Sequence, residues 1–377
     1  MFFSILLPSK DGENYISNVI KSIIDQTFED YEIIIGDNNN SRKFAEKVLS
    51  FQSSKIKMVR SDKTLQAADS WMNCLNASSG KYIITLGDDD CILFNGLSKL
   101  ESLLKKNNYP DCISVNGIGF YESGSTEDFH YPAYKINFWK YKPKYINDIF
   151  LNNKLKEKIV KEFFSFNNLL PLNMQPHIFS KKVANLVDNG LFKPPSPDSY
   201  ALYSLLMKKK RWLISNEKIF AIGLSNKSFG YYWHNNKINE GMEFLGSKLD
   251  GNFLPGSKLN DYLYTVLKNL KLNQKETFNE FEINRSAYLS RQLFVCLEKS
   301  IFERKISNLI QYFKQIDKKD IYQLFLGLLN FKLYLNAFKR IFLALKQKNS
   351  LSSEVVFLNK KYNIYEFTRD EKFKKKY

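Results

Sequence analysis

KYIITLGDDDCIL, residues 81–93, sets three consecutive carboxylates, Asp88, Asp89 and Asp90, directly after an apolar run with β-strand character. Adjacent carboxylates repel, and the repulsion is relieved by a bound cation, by proton uptake or by full exposure to water. The chain as a whole is strongly basic, with a formal net charge of +17. What flanks the acidic run therefore decides both the fold and the reading of the cluster.

Upstream, element types alternate. FFSILLP (2–8) reads as a short buried strand stopped at Pro8. NYISNVIKSIIDQT (14–27) places Tyr15, Ile16, Val19, Ile20, Ile23 and Ile24 on one side at helical spacing. YEIIIGD (31–37) is a second strand, SRKFAEKVLSF (41–51) a helix, KIKMVRS (55–61) a strand, and LQAADSWMNCLNAS (65–78) a helix closed by Gly80. Residues 81–90 then form the fourth strand and its end. Strands alternating with amphipathic helices imply an α/β fold with a mostly parallel sheet flanked by helices. Ligands of such sheets gather outside the carboxyl ends of the strands, and right-handed crossovers bring Asp37 and Asp88–Asp90 to that same edge.

Downstream, NGLSKLESLLKKN (95–107) reads as helix and DCISVNGIGFYES (111–123) as strand, whereas the aromatic, lysine-rich stretch 131–150 has no clear period and reads as a loop or lid. HIFS (177–180) is strand-like, KPPSP (193–197) a turn, Asp198 stands at a helix start, and RWLIS (211–215) opens another strand. From about residue 251 successive helices carry Lys and Arg interleaved with Phe, Tyr and Leu.

Apolar residues make up 44% and aromatics 15%, including 31 Phe and 22 Tyr, which excludes a disordered chain. Cys74, Cys91, Cys112 and Cys296 have no zinc-type spacing and read as reduced core thiols of a cytoplasmic protein. The first apolar run is too short, and lacks the basic flank, for a signal peptide, and no apolar stretch reaches the roughly 20 residues of a spanning helix. From residue 256 onward 24 Lys and Arg face 12 Asp and Glu, so most of the positive charge lies in the last third.

The run SILLPSKDGENYISNVIKSIIDQTFEDYEIIIGDN (4–38), followed by ASSGKYIITLGDDD (77–90) and GLFKPPSPDSYAL (190–202), resembles bacterial family 2 glycosyltransferases of the GT-A fold. The resemblance covers roughly residues 1–230. It implies a catalytic domain over residues 1–250, with 251–377 a basic, aromatic-rich helical region. It also implies an inverting, metal-dependent hexosyl- or N-acetylhexosaminyl-transferase using a nucleotide-diphosphate sugar, most often UDP-linked. The acceptor would be a hydroxyl of a lipid-linked or polysaccharide substrate in surface polysaccharide synthesis.

Carried over position by position, the acidic run matches the family's DxD motif, with Gly87 where the first aspartate often stands. Asp88 would contact the donor ribose, and Asp89, with Asp90, would hold Mn²⁺ or Mg²⁺, hard cations that take carboxylate oxygens. Asp37 would meet the nucleotide base beside Pro8 and Ser9, although the usual Asp-Gly-Ser is replaced here by Asn38–Asn40; the alternative is a turn-forming aspartate. Asp198, preceded by Pro197 where the family often has Glu, would be the general base; the alternative is a helix N-cap. His234 is a candidate late metal ligand, Trp71 and Arg211 candidate donor contacts, and His177 a candidate acceptor contact.

The basic helical region suits an anionic membrane surface, with residues 322–345 the best stretch for interfacial contact, interrupted by Asn330, Lys332 and Asn336. Its faces could equally pack as a subdomain or join a homo-oligomer. Localisation would be cytoplasmic, peripheral at the inner face of the membrane. Two further readings compete: a nucleotidyl- or phospho-sugar transferase, which lacks a glycine-rich phosphate loop here, and a non-catalytic sugar-nucleotide or polysaccharide-binding protein. Nucleic-acid binding is disfavoured, because the basic residues form no recognisable motif.

Overall fold

The computed structural model describes residues 1–125, 130–139, 148–235, 237–249, 251, 253–304, 306–329 and 355–374. The chain divides into two compact units, one of Met1–Glu157, Leu169–Ser247 and Glu354–Tyr377, the other of Lys158–Asn168 and Lys248–Ser353.

The first unit is built on one mixed sheet. Its strands are β1 (Phe3–Ser9), β2 (Tyr31–Asn38), β3 (Ile56–Ser61), β4 (Tyr82–Thr85), β5 (Cys91–Ile92), β6 (Cys112–Tyr121), β7 (Ala133–Lys135), β8 (Ile149–Phe150), β9 (His177–Ser180), β10 (Trp212–Leu224) and β11 (Val355–Phe357). The main order is β11-β7-β6-β9-β4-β1-β2-β3, with β10 pairing β5, β6 and β8. Helices α1 (Ile16–Ile24), α2 (Arg42–Leu49), α3 (Ala67–Ala77), α4 (Gly96–Lys106), α5 (Asn153–Phe164, whose residues from Lys158 on belong to the second unit), α6 (Lys181–Ala184), α7 (Pro197–Met207), α8 (Phe229–His234) and α9 (Ile238–Phe244) connect them.

The near-continuous apolar runs of β1, β2 and β4 are those of strands covered on both faces. Ile16, Val19, Ile20 and Ile23 of α1 share one core with Ile5, Leu7, Ile33, Ile35 and Ile84. β1, β2, β3 and β4 run parallel, as do β6 and β10. β9 is reversed, lying antiparallel between β4 and β6, and β5, β7 and β8 likewise pair antiparallel with β10, β6 and β10. The register pairs Ser9 with Asp37, so the ends of β1 and β2 are level.

Residues 355–374, which the sequence reading assigns to the helical region, join this first unit. β11 adds antiparallel to β7, and Ile364, Phe367 and Phe373 are buried against Cys91, Leu93, Ile118, Phe120 and Ala221. Apolar burial of this kind outweighs the local surplus of lysine. The stretch 131–150 supplies β7 and β8, while residues 140–147 lie outside the described part.

The second unit holds α10 (Lys258–Asn273), α11 (Lys275–Phe278), α12 (Arg285–Phe302), α13 (Ile306–Gln315) and α14 (Lys318–Leu328). A buried polar knot fixes it: Asp261 accepts hydrogen bonds from Tyr288 Oη and Gln292 Nε2, both at 2.7 Å. Arg285 on α12 holds Asp320 on α14 through its Nε at 3.1 Å. Much of the interfacial candidate 322–345 lies outside the described residues, since these end at 329 before resuming at 355. Among the described residues no helix is long and apolar enough to cross a membrane.

Candidate active site

The acidic run leaves β4 at the carboxyl edge of the sheet, and its three carboxylates meet different surroundings. Asp90 is buried and fully engaged: Oδ2 accepts from Gly87 N at 2.7 Å and Gln175 Nε2 at 3.2 Å, while Oδ1 accepts from Gly223 N at 2.9 Å. It braces the loop against β10 and the segment before β9. With hydrogen bonds on both oxygens holding the loop from inside the protein, Asp90 is less open to a cation than Asp88 or Asp89.

Asp89 is buried with Oδ2 accepting from Ser225 N at 3.3 Å and Ser225 Oγ at 2.7 Å. Asp88 is half-buried, its Oδ2 accepting from Ser9 Oγ at 2.6 Å. The side-chain and backbone donors of Ser9 and Ser225 all fall on the Oδ2 atoms of Asp88 and Asp89. Backbone approaches both residues closely. A Cβ on Gly12 would stand 2.0 Å from Asp88 Oδ2, and one on Gly223 would stand 2.0 Å from the Asp89 carbonyl oxygen.

Electrostatics follow from burial without a counter-charge. Asp88 is pushed up to about 7 by desolvation and then by the Asp89 charge, and Asp89 is raised by desolvation against the pull of its Ser225 hydrogen bonds. Glu122, at the end of β6, is likewise pushed up to about 7 by burial and by Asp89. Tyr15 on the segment entering α1 rises to about 12, through burial first and Glu122 second. The carboxylates at this edge thus carry an unmet demand for positive charge. No group of three or more His, Cys, Asp or Glu stands ready as a closed metal cage among the described residues. An open pair of carboxylate oxygens is nevertheless the donor set for Mg²⁺ or Mn²⁺, which keep waters and take substrate phosphates as their remaining ligands. Asp89, whose hydrogen bonds from Ser225 fall on Oδ2, fits a divalent cation; the side chain of His234, at the end of α8, lies outside what is described.

Asp37 is fully buried at the end of β2. Its Oδ1 accepts from Asn40 N at 2.9 Å and Asn40 Nδ2 at 3.0 Å, and its Oδ2 from Arg60 Nη1 at 2.9 Å. Asn40 Nδ2 also donates to Ser9 O at 2.9 Å, tying the ends of β1 and β2 together. Asn38 in turn accepts from Leu65 N at 2.7 Å and donates to Leu65 O at 3.0 Å. The unusual asparagine triplet therefore builds the turn. Asp37 itself offers no surface to a nucleotide base, which corrects the expectation of direct contact; Arg60, whose side chain is 45% exposed, is the outward-facing partner.

Asp198 lies in the first turn of α7. The N-cap is Ser196, whose Oγ accepts from Ser199 N, so the capping role is already filled. Asp198 Oδ1 accepts from Met174 N at 2.8 Å, and burial pushes the carboxyl up to about 7. The adjacent residue, Gln175, is the one that reaches Asp90. Two consecutive residues thus clasp Asp198 and the acidic loop, a link carried by no sequence signal.

Other candidates are placed elsewhere. Arg211 precedes β10 at the opposite edge of the sheet, where its guanidinium donates to Asn107 O and Asn108 O, both at 2.9 Å, and lies over Phe150. The donor-binding expectation for Arg211 is corrected: it caps the C-terminal end of α4. His177 is buried, with Nδ1 2.7 Å from Ser114 Oγ and Nε2 2.9 Å from Pro171 O, and burial lowers it to about 4. It pins the segment 171–176 from within the core, which corrects the acceptor-contact expectation. Trp71 on α3 meets Phe192 edge-on at 5.2 Å.

Comparison with known proteins agrees with this layout. Residues 4–164 match the family model described as glycosyl transferase family 2. A UDP-Glc:alpha-D-GlcNAc-diphosphoundecaprenol beta-1,3-glucosyltransferase of Escherichia coli is 34% identical over 105 residues, 28% of this chain and 42% of that one. An uncharacterized glycosyltransferase of Methanocaldococcus jannaschii is 25% identical over 61% of this chain and 82% of its own length. The chain thus spans less than half of the first relative and most of the second. Among solved structures, S. aureus TarS 1-349 in complex with UDP-GlcNAc superposes with a TM-score of 0.52 at 12% identity, covering 83% of this chain and 78% of that one, which speaks for the fold. The parallel β1–β4 core and the acidic strand end both lie within residues 4–164, the stretch that matches the model of glycosyl transferase family 2.

Proposed function

We propose that the protein is an inverting, metal-dependent glycosyltransferase that moves a sugar from a UDP-linked donor to a hydroxyl of a lipid-linked saccharide in surface polysaccharide synthesis. One observation carries the reading: Asp88 and Asp89 are desolvated without a counter-charge at the carboxyl edge of the sheet, on the edge where Asp198 is held by Met174. The Escherichia coli relative, named for a UDP-glucose donor and a diphosphoundecaprenol acceptor, supports the donor and acceptor classes.

In this mechanism Asp89 would hold Mn²⁺ or Mg²⁺, which when bound would supply the positive charge that a departing diphosphate needs. Asp88, oriented by Ser9 Oγ, faces the donor ribose. Pro8, Ser9 and the Asp37–Asn40 turn form the floor for the base, with Arg60 at its rim. Asp198 takes the proton of the attacking acceptor hydroxyl; its raised proton affinity suits a base working near neutrality. A carboxylate on the far side of the sugar from the leaving diphosphate is what an inverting displacement uses. Trp71 is the further donor-side residue of this reading, and His234 its late metal ligand.

The helical unit supports a peripheral position on an anionic membrane. Ile306, Ile310 and Phe313 are exposed along α13, and Ile321, Tyr322 and Phe325 along α14, with Lys314, Lys318 and Lys319 exposed beside them.

The deciding experiment is a thermal-shift screen of nucleotide sugars with and without Mn²⁺. A melting point raised by one UDP-sugar only with the cation, and lost in Asp89→Ala, supports the reading. Indifference of every nucleotide to EDTA overturns the cation role.

A further inference from the structure

The acidic loop is followed by β5, a strand of only two residues, Cys91 and Ile92, that pairs Ile92 with Phe220 and Cys91 with Ala221. Two residues form too few ladder bonds to hold a strand in place by themselves. β5 is nonetheless the outgoing anchor of Asp88–Asp90, so something else must fix it.

Just beyond it, Leu93 N donates to Ile219 O at 2.9 Å and Leu93 O accepts from Gln26 Nε2 at 3.1 Å, and a further set of contacts comes from the far end of the chain. Arg369, in the helix Ile364–Arg369, donates from Nη1 to Ile92 O at 3.3 Å and from Nη2 to Ser22 O at 3.1 Å, with Nε 3.6 Å from Asp25 Oδ2. Its side chain is 12% exposed. Ser22 closes the arrangement, since its Oγ accepts from Ile92 N at 3.0 Å. Ile92 is therefore gripped at its N–H by α1 and at its carbonyl by the C-terminal segment. A guanidinium can bridge two carbonyls and a carboxylate at once because its donors form a rigid planar fork.

The supports of Arg369 are equally specific. Tyr365 Oη donates to the same Asp25, and the arginine lies over the Tyr365 ring at 5.2 Å. The helix is started by a capping box between Asn363 and Glu366. Phe367 packs on Phe120 at 5.2 Å and on Phe373 at 4.3 Å, beneath the β6 and β10 strands that flank the site. These contacts aim one guanidinium at the residue two positions beyond Asp90.

We propose that residues 355–374 are a strap that completes the donor site, and that Arg369 is the positioning residue through which it holds the acidic loop in register. The functional half of this inference rests on the glycosyltransferase reading above; the structural half does not. Removing the fork frees β5, lets the Asp88–Asp89 pair spread, and weakens cation-dependent nucleotide binding without touching either ligand.

The test uses the full chain with Arg369→Gln and Arg369→Lys, the latter keeping charge opposite Asp25 without the fork. Amide hydrogen exchange is read for residues 87–93 against β1 as an internal control, and UDP affinity is measured with Mn²⁺ well below the melting point. Arg369→Gln should exchange about tenfold faster across residues 87–93 with β1 unchanged, and bind UDP about tenfold more weakly, with Arg369→Lys recovering little of either. Exchange across 87–93 indistinguishable from the parent chain overturns the proposal. If exchange speeds but UDP binding by the parent is itself absent, the donor assignment fails while the strap stands; if exchange speeds and UDP affinity is unmoved, the positioning role is refuted. Should Arg369→Gln not fold, Tyr365→Phe, which removes only one support of the fork, gives the same readouts with a smaller effect.

Discussion

Asp198 and the acidic triplet show how burial assigns different tasks to one residue type. Asp90 accepts from Gly87, Gln175 and Gly223 on both oxygens, whereas Asp89 is met by Ser225 on Oδ2 and Asp198 by Met174 N on Oδ1. With its folded value near 7 and an ordinary carboxylate value near 4 when unfolded, Asp198 is half protonated at neutrality. As the base it must be ionised, so kcat should rise roughly tenfold per pH unit on approaching 7 from below and flatten above it. The same shift has the opposite sign for folding: its contribution is fully present below the unfolded value and is lost as pH rises through about 7. Asp198→Ala should therefore bind UDP normally, lose turnover by about a hundred- to ten-thousand-fold, and flatten that limb of the pH profile. Unchanged turnover would assign the proton to another group. The sequence made Asp198 and the triplet visible because carboxylates after an apolar run are conspicuous. It could not separate Asp90 from Asp89, since the contacts that do so come from Gln175, 85 positions along, and Gly223, 133 positions along.

At the scale of elements, the alternation of β1 through β4 with α1, α2 and α3 was legible because period-2 and period-3.6 patterns rarely coincide by chance. β9 was readable as a strand but not in its direction, which depends on the two neighbours it separates. Arg211 was misplaced for a related reason: a cation just before a strand gives no hint of which edge the strand starts from. Ser225 and Asn40 carried no signal, as small polar residues in loops are ordinary. Two element-level outcomes are expected. Ser196→Ala removes the α7 cap, costing about 1 kcal/mol. That lowers the melting point by about 2–4 °C, with donor binding retained. Gly223→Ala places a Cβ 2.0 Å from the Asp89 carbonyl oxygen, so calorimetry should find cation-dependent UDP binding abolished even where circular dichroism remains native. Retained binding would mean that β10 can retreat without disturbing the acidic loop.

For the whole molecule, the basic, aromatic-rich last third was legible as helical from spacing, but the return of residues 355–374 to the sheet was not. That return is decided by Ile364, Phe367 and Phe373 finding Phe120 and Ala221, a match no local pattern records. The exposed apolar faces of α13 and α14 predict retention on phosphatidylglycerol vesicles in flotation, weaker in high salt and on neutral lipid. Phe313→Ser with Phe325→Ser should reduce retention several-fold while leaving the secondary structure intact. Equal flotation of parent and double variant would move the contact elsewhere.

The reversed strand has a consequence of its own. Parallel strands deliver their exits to the catalytic edge, but β9 delivers its entrance, so the residues that reach Asp198 and Asp90 are the last ones laid down before a strand rather than the first ones after it. His177 then works as a datum: its ring is fixed in the core at Ser114 and Pro171, and Met174 and Gln175 are set by counting back from it. Deleting one residue between Gln175 and His177 would leave the sheet whole and shift the contacts to Asp198 and the acidic loop together, whereas lengthening the chain ahead of Pro171 would shift neither.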